Sequence, residues 1–104
     1  RGVHYCATCD GAFYRDKKLV VIGGGNSAFQ EALFLTRYAS HIDILVRSEI
    51  RASDVLQHDM QQYIDSGKVT IHLNTTTDEI KATDGRVTSV EAHKDGQPVS
   101  IETD

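Results

Sequence analysis

No run of about 18 consecutive apolar residues occurs in this sequence, so no segment reads as a membrane-crossing helix. Basic charge is also scarce. Lysine and arginine total 11 against 15 acids, a net charge of −4, which leaves no electrostatic footprint for nucleic acid. The 2 cysteines are too few for the disulfide framework of a small secreted domain. There is no basic-then-apolar leader of the kind that directs secretion, and no internal repeat or low-complexity tract. The expectation is a soluble, cytoplasmic protein with neither membrane nor nucleic acid among its partners.

What is present fits one domain. The 104 residues, 39% of them hydrophobic, allow a modest core. Residues 1–5 carry no helix cap and no start methionine, and Ile101–Asp104 stops within alternating, strand-like sequence. The expectation is a single domain, 1–104, belonging to a longer chain.

Leu19–Ile22 is a short β-branched apolar run ending at Gly23 and reads as a buried strand. From Asn26 to about Tyr38, apolar residues recur largely three and four apart, which predicts a helix. His41–Val46 reads as a second buried strand. Ser53 is placed to cap another helix, whose stripe is Val55, Leu56, Met60, Tyr63 and Ile64, with Gly67 at its left-handed C-terminal stop. Val69–Leu73 is a third strand. The alternation over 17–74 predicts a Rossmann-like βαβαβ unit, a parallel sheet with helices packed on it. Over 75–104 the pattern changes to three segments with alternating tendency, Thr75–Thr83, Arg86–His93 and Pro98–Thr103. They are joined by Asp84-Gly85 and Asp95-Gly96, strong hairpin signals, and the single proline, Pro98, lies by the second turn. An α/β domain with an appended three-stranded antiparallel meander is expected.

Gly23-Gly24-Gly25-Asn26-Ser27-Ala28 follows a strand and opens a helix, the context that gives a GxGxxA pattern meaning. Gly23 would make the tight turn, Gly25 would admit a pyrophosphate to the backbone, and Ala28 would let helix and strand pack closely. The diphosphate would sit on free N–H groups at the positive helix end, with Asn26 and Ser27 suited to capping or phosphate contact. A glycine turn with no ligand is the plain alternative. The end of the second strand selects the nucleotide: a carboxylate accepts from the ribose 2′-OH of NADH, whereas arginine meets the 2′-phosphate of NADPH. Here the strand runs into Arg47-Ser48-Glu49-Ile50-Arg51. No acid stands at its terminus, and Arg47 and Arg51 are able to form bidentate phosphate bonds. NADPH is therefore expected ahead of NADH, with Glu49, farther along, arguing for NADH. Solvated surface arginines are the alternative.

Ahead of this loop lies the segment 1–16, with Cys6-Ala7-Thr8-Cys9-Asp10. Three readings stand for the pair. Zinc needs four ligands as a rule, and no histidine pair has the short spacing to complete a site, so no metal is expected. Two core cysteines fit poorly beside Thr8 and Asp10. A redox couple fits best, because this spacing can close a small disulfide ring and commonly lowers one thiol's pKa, with Asp10 as proton donor or acceptor. Electrons from a nicotinamide do not normally enter a disulfide directly, so a flavin is expected between them. The one glycine fingerprint is already assigned, which puts the flavin on another domain.

With these residues in view, the chain resembles the NADPH-binding domain of the low-molecular-weight, bacterial-type thioredoxin reductases. Three stretches carry the resemblance in the family's order: Cys6-Ala7-Thr8-Cys9-Asp10-Gly11, Val21-Ile22-Gly23-Gly24-Gly25-Asn26-Ser27-Ala28 and Glu31-Ala32-Leu33-Phe34-Leu35. The related flavin subunit of the alkyl hydroperoxide reductase system usually has Cys-Pro-His-Cys, and related ferredoxin–NADP reductases lack the pair. The resemblance implies that Cys9 faces FAD and takes electrons as a charge-transfer thiolate, that Cys6 attacks the thioredoxin disulfide, and that Asp10 is the acid/base residue. It also implies an FAD domain of split sequence around this one, rotation of this domain between two states, and a homodimer formed mainly by the FAD domain, so that this chain alone would be monomeric and inactive. The family usually has His-Arg-Arg and, a few residues on, Arg. Here Val46-Arg47-Ser48-Glu49-Ile50-Arg51 has a serine for one arginine and is one residue shorter.

The sequence also admits two readings of other classes. One is a stand-alone nucleotide-binding, redox-sensing module whose cysteines switch a partner interaction, with the meander as docking surface. The other is a zinc-stabilised structural domain.

Overall fold

A computed structural model of the chain describes residues 16–83 and 86–103, without the side chains of 82–87. Cys6, Cys9, Asp10 and the Asp84-Gly85 turn lie outside the described residues. Three parallel strands, β1 (Lys18–Ile22), β2 (His41–Leu45) and β3 (Val69–His72), form one sheet in the order β1-β2-β3. Between them run helices α1 (Asn26–Leu35) and α2 (Asp54–Asp65). A second sheet, β4 (Thr75–Thr83), β5 (Arg86–Lys94) and β6 (Gln97–Glu102), is an antiparallel meander. No helix among the described residues is long and apolar enough to cross a membrane.

Strand β1 and the end of β2 are apolar on both faces because both faces are covered. Leu19 and Val21 of β1, with Ile42 and Ile44 of β2, pack against Phe29, Ala32 and Leu35 of α1 and Met60 of α2. The alternate residues, Val20 and Leu45, turn the other way and meet Val90 and Ala92 of the meander. The molecule is thus layered: helices, parallel sheet, antiparallel sheet. Thr103 Oγ1 donates to the Lys18 carbonyl at 2.9 Å, tying the end of the meander back to the start of β1. Near β3 a polar group closes the layer. Lys94 Nζ lies 3.4 Å from His72 Nδ1, and His72 Nε2 lies 2.8 Å from Asp43 Oδ1. A lysine can only donate, so His72 accepts from it and presents its Nε2–H to the carboxylate.

Local sequence accounts for the element ends. Ser53 caps α2 by accepting from Leu56 N, and Gly67, with φ +85°, follows it. Asp95 and Gly96 both take positive φ, 52° and 82°, the conformation of a type I′ hairpin turn. Helix α1 is shorter than the sequence predicts, ending at Leu35. Arg37 N and Tyr38 N bond to carbonyls three residues back, those of Phe34 and Leu35. The apolar spacing continues through this tightened last turn, although the α-helix does not.

Candidate functional site

All three parallel strands deliver their C-terminal ends to one side of the sheet, where ligands of open α/β folds bind. There a cleft of about 510 Å³ is walled by the glycine loop after β1, by Val46–Glu49 and Arg51 after β2, and by Thr75–Thr77 at the start of β4.

Gly23 has φ +135°, and a Cβ on it would lie 3.1 Å from the Cβ of Ala28. The small residue at 28 therefore lets the first turn of α1 close against the loop. Gly24 faces the opposite wall. A Cβ there would lie 2.8 Å from Val46 Cγ1 and 3.1 Å from the Glu49 carbonyl oxygen. Its own carbonyl accepts from Arg51 N at 2.7 Å and Ala52 N at 2.9 Å. Gly24 is thus the contact that pins the arginine-bearing segment to the loop. A Cβ on Gly25 would meet nothing within 4 Å. Among the described residues, no contact accounts for its missing side chain.

Gly25 is also the N-cap of α1 and supplies no side-chain cap, and the first turn holds no acid. Among the described residues no side chain caps the amides at this helix start, and the helix dipole makes such a position favourable to an anion. Asn26 does not cap its own helix. Its Oδ1 accepts from Ser53 N at 2.8 Å and joins the starts of the two helices. Ser27 is exposed in the first turn. Of the residues nominated from sequence, the cleft gathers Gly23, Gly24, Gly25, Arg47, Ser48 and Arg51, whereas Asn26, Ser27 and Ala28 stand behind it in α1. Arg47, Ser48 and Arg51 are exposed at the rim. The donor set fits a nucleotide: open backbone amides for a diphosphate and guanidinium groups for a further phosphate.

Sequence reasoning missed the third wall. Thr75 N donates to Val46 O at 2.9 Å, which seats β4 beside the end of β2. The available signal was position, since residues directly after a parallel strand reach the ligand side of the sheet. Thr77 Oγ1 in this wall is buried without a hydrogen-bond partner among the described residues. Thr77→Val keeps the branched shape and removes the orphan hydroxyl, whose burial costs about 1–3 kcal/mol. The variant is expected to melt several degrees higher, about 4–8 °C per kcal/mol for a domain of this size. A thermal melt with no gain would mean that the hydroxyl is satisfied in solution.

Residues 18–96 match the sequence model of the family described as pyridine nucleotide-disulphide oxidoreductase. The chain belongs to that family. The thioredoxin reductase of Bacillus subtilis (strain 168) is 46% identical over 91 residues, covering 86% of this chain and 28% of the relative. That of Escherichia coli O157:H7 is 42% identical over the same length and shares. The crystal structure of Lactococcus lactis thioredoxin reductase in its FR conformation superposes with a TM-score of 0.87 at 37% identity, covering 99% of this chain and 34% of that one. This chain therefore spans less than a third of the length of these curated relatives. As a pyridine nucleotide-disulphide oxidoreductase domain it has the expected α/β architecture, with the meander included in the superposition. Cys6, Cys9 and Asp10 precede the stretch matched by the family model.

Proposed function

We propose that this chain is the nicotinamide-nucleotide-binding and dithiol domain of a thioredoxin-disulfide reductase. The observation that carries the reading is the cleft. A glycine loop, an uncapped helix start and two rim arginines line one cavity, in a chain whose relatives are named thioredoxin reductases.

The residues have distinct tasks in this reading. The backbone of Gly23–Gly25 and the first amides of α1 hold the diphosphate, with Gly25 leaving room for it. Arg47 and Arg51 hold the 2′-phosphate of NADPH, and Ser48 adds a neutral hydroxyl where the family usually has a charge. FAD, bound mainly by another domain, supplies the two-electron relay between nicotinamide and disulfide. Cys6 and Cys9 cycle between disulfide and dithiol: two electrons and two protons arrive, and both pass to the disulfide of thioredoxin, which leaves as a dithiol while Cys6–Cys9 closes again. Asp10 handles a proton at the Cys9 sulfur. The complete enzyme is a cytoplasmic homodimer, while this domain alone is monomeric and does not turn over.

The test is calorimetric titration with NADPH and NADH, repeated on Arg47→Ala. Loss of one charge-assisted phosphate contact, about 1.5–3 kcal/mol, is expected to weaken NADPH about ten- to a hundredfold and to leave NADH nearly unchanged. Equal losses for both nucleotides would remove Arg47 from the 2′-phosphate. Binding of neither by the parent chain would leave the loop as a structural turn. Mixing with NADPH without flavin is expected to yield no free thiols from an oxidised Cys6–Cys9 pair, and rapid thiol release would overturn the need for a relay.

A further inference from the structure

Arg51 does not enter the cleft alone. Glu49 Oε1 lies 4.0 Å from its Nε, with the two side chains 77% and 75% exposed. Arg47 has no ion-pair partner among the described residues. The backbone beside the pair is held to the loop, while both side chains extend into solvent. The Glu49 carbonyl packs beside Gly24, and Arg51 N donates to the Gly24 carbonyl. Neither residue is able to drift away from the loop. The rearrangement open to them is exchange of partners at the rim. Over Arg47, Ser48, Glu49 and Arg51 the formal charge is +1, because Ser48 is neutral and Glu49 offsets one guanidinium.

We propose that Glu49 is the specificity-determining residue of this cleft. It competes with a 2′-phosphate for Arg51 and offers a ribose 2′-hydroxyl the carboxylate acceptor that NADH recognition uses. The chain accordingly accepts NADH alongside NADPH. The proposal rests on the cleft being a nicotinamide-nucleotide site, and it differs from that reading in locating selectivity in an acid rather than in the arginines alone. A bound phosphate draws Arg51 away from Glu49 and places its negative charge near the carboxylate. A bound ribose hydroxyl leaves the ion pair intact.

The experiment is calorimetric titration of the whole chain with NADPH and, separately, NADH, at low ionic strength where exposed charges are least screened. Parent, Glu49→Gln, Arg51→Ala and the double variant are compared. Exposed pairs are weak, so Glu49→Gln is expected to tighten NADPH about three- to fivefold and to weaken NADH about twofold. In the Arg51→Ala background the NADPH gain is expected to fall below about twofold, because the partner being released is gone. Glu49 is exposed, so the melting temperature should not move. An unchanged ratio of NADPH to NADH affinity in Glu49→Gln overturns the proposal. So does a gain that persists in full without Arg51, since the acid would then act by diffuse charge alone. If the parent binds neither nucleotide, the site reading itself falls and the proposal with it.

Discussion

Gly25→Ala is expected to weaken NADPH and NADH binding about ten- to a hundredfold while leaving the stability of the chain nearly unchanged. The two halves of this result come from different physics. In the free protein, Gly25 has φ −95° and ψ −175°, extended backbone open to any residue, and a Cβ there meets nothing within 4 Å. Alanine is a poorer N-cap than glycine, at a cost of about 0.5 kcal/mol. Against this, an unfolded chain with alanine has less freedom to lose, which returns about 0.4–1 kcal/mol. The terms nearly cancel. In the complex the methyl group occupies the space beside the α1 amides that a diphosphate needs, and one lost charge-assisted hydrogen bond of about 1.5–3 kcal/mol accounts for the affinity change. Both nucleotides carry the diphosphate, so both should suffer equally, unlike the NADPH-selective effect of Arg47→Ala. Matched titrations and melts on one preparation check it. Unaltered binding by a well-folded Gly25→Ala would mean that no ligand approaches this residue.

How much of this arrangement was readable from the sequence depends on the range of the interaction responsible. Strand β1 and the end of β2 were legible because burial on both faces leaves nearly unbroken runs such as Leu19-Val20-Val21 and Ile44-Leu45-Val46. The cap at Ser53 and the turn at Asp95-Gly96 were legible because each is a local device with its own residue chemistry. The covering of the second sheet face was not. Nothing local in Val90 or Ala92 says that they will meet Val20 and Leu45. The bulged register of β4 against β5, which shifts between Thr77 and Glu79, left no mark in the alternating pattern either. In the site, the fingerprint and the rim arginines were visible as spacing. The Thr75–Thr77 wall and the work of Gly24 were not. Both depend on contacts between the end of β2 and segments more than 20 residues away, and periodicity within one segment carries no information about them.

The middle glycine of the loop should behave in the opposite way to Gly25. Gly24→Ala is expected to destabilise the chain by roughly 3 kcal/mol, the upper part of the usual range for overpacking, and to lower its melting temperature by on the order of 15 °C. The reason is the kind of atom in the way. A Cβ at 24 would stand 2.8 Å from Val46 Cγ1 and 3.1 Å from the carbonyl oxygen of Glu49, with the Cα of Ile50 at 3.6 Å. Two of these are backbone. The third belongs to a β-branched side chain that is buried, 1% exposed, and stiff about χ1. A flexible side-chain tip would swing aside, but these atoms move only if the 46–52 segment moves. That segment is also held by the two hydrogen bonds that the Gly24 carbonyl accepts from Arg51 N and Ala52 N. Relieving the clash therefore strains the link that holds the arginines at the cleft, so nucleotide affinity should fall together with stability. A double-mutant cycle with Val46→Ala separates the parts. Removing Cγ1 opens space for the new methyl, and the double variant should be more stable than the sum of the single losses predicts. Strict additivity would put the clash on the Glu49 and Ile50 backbone alone. A Gly24→Ala chain that melts within about 3 °C of the parent, less than 1 kcal/mol of change, would show that the loop yields freely and does not anchor the specificity segment.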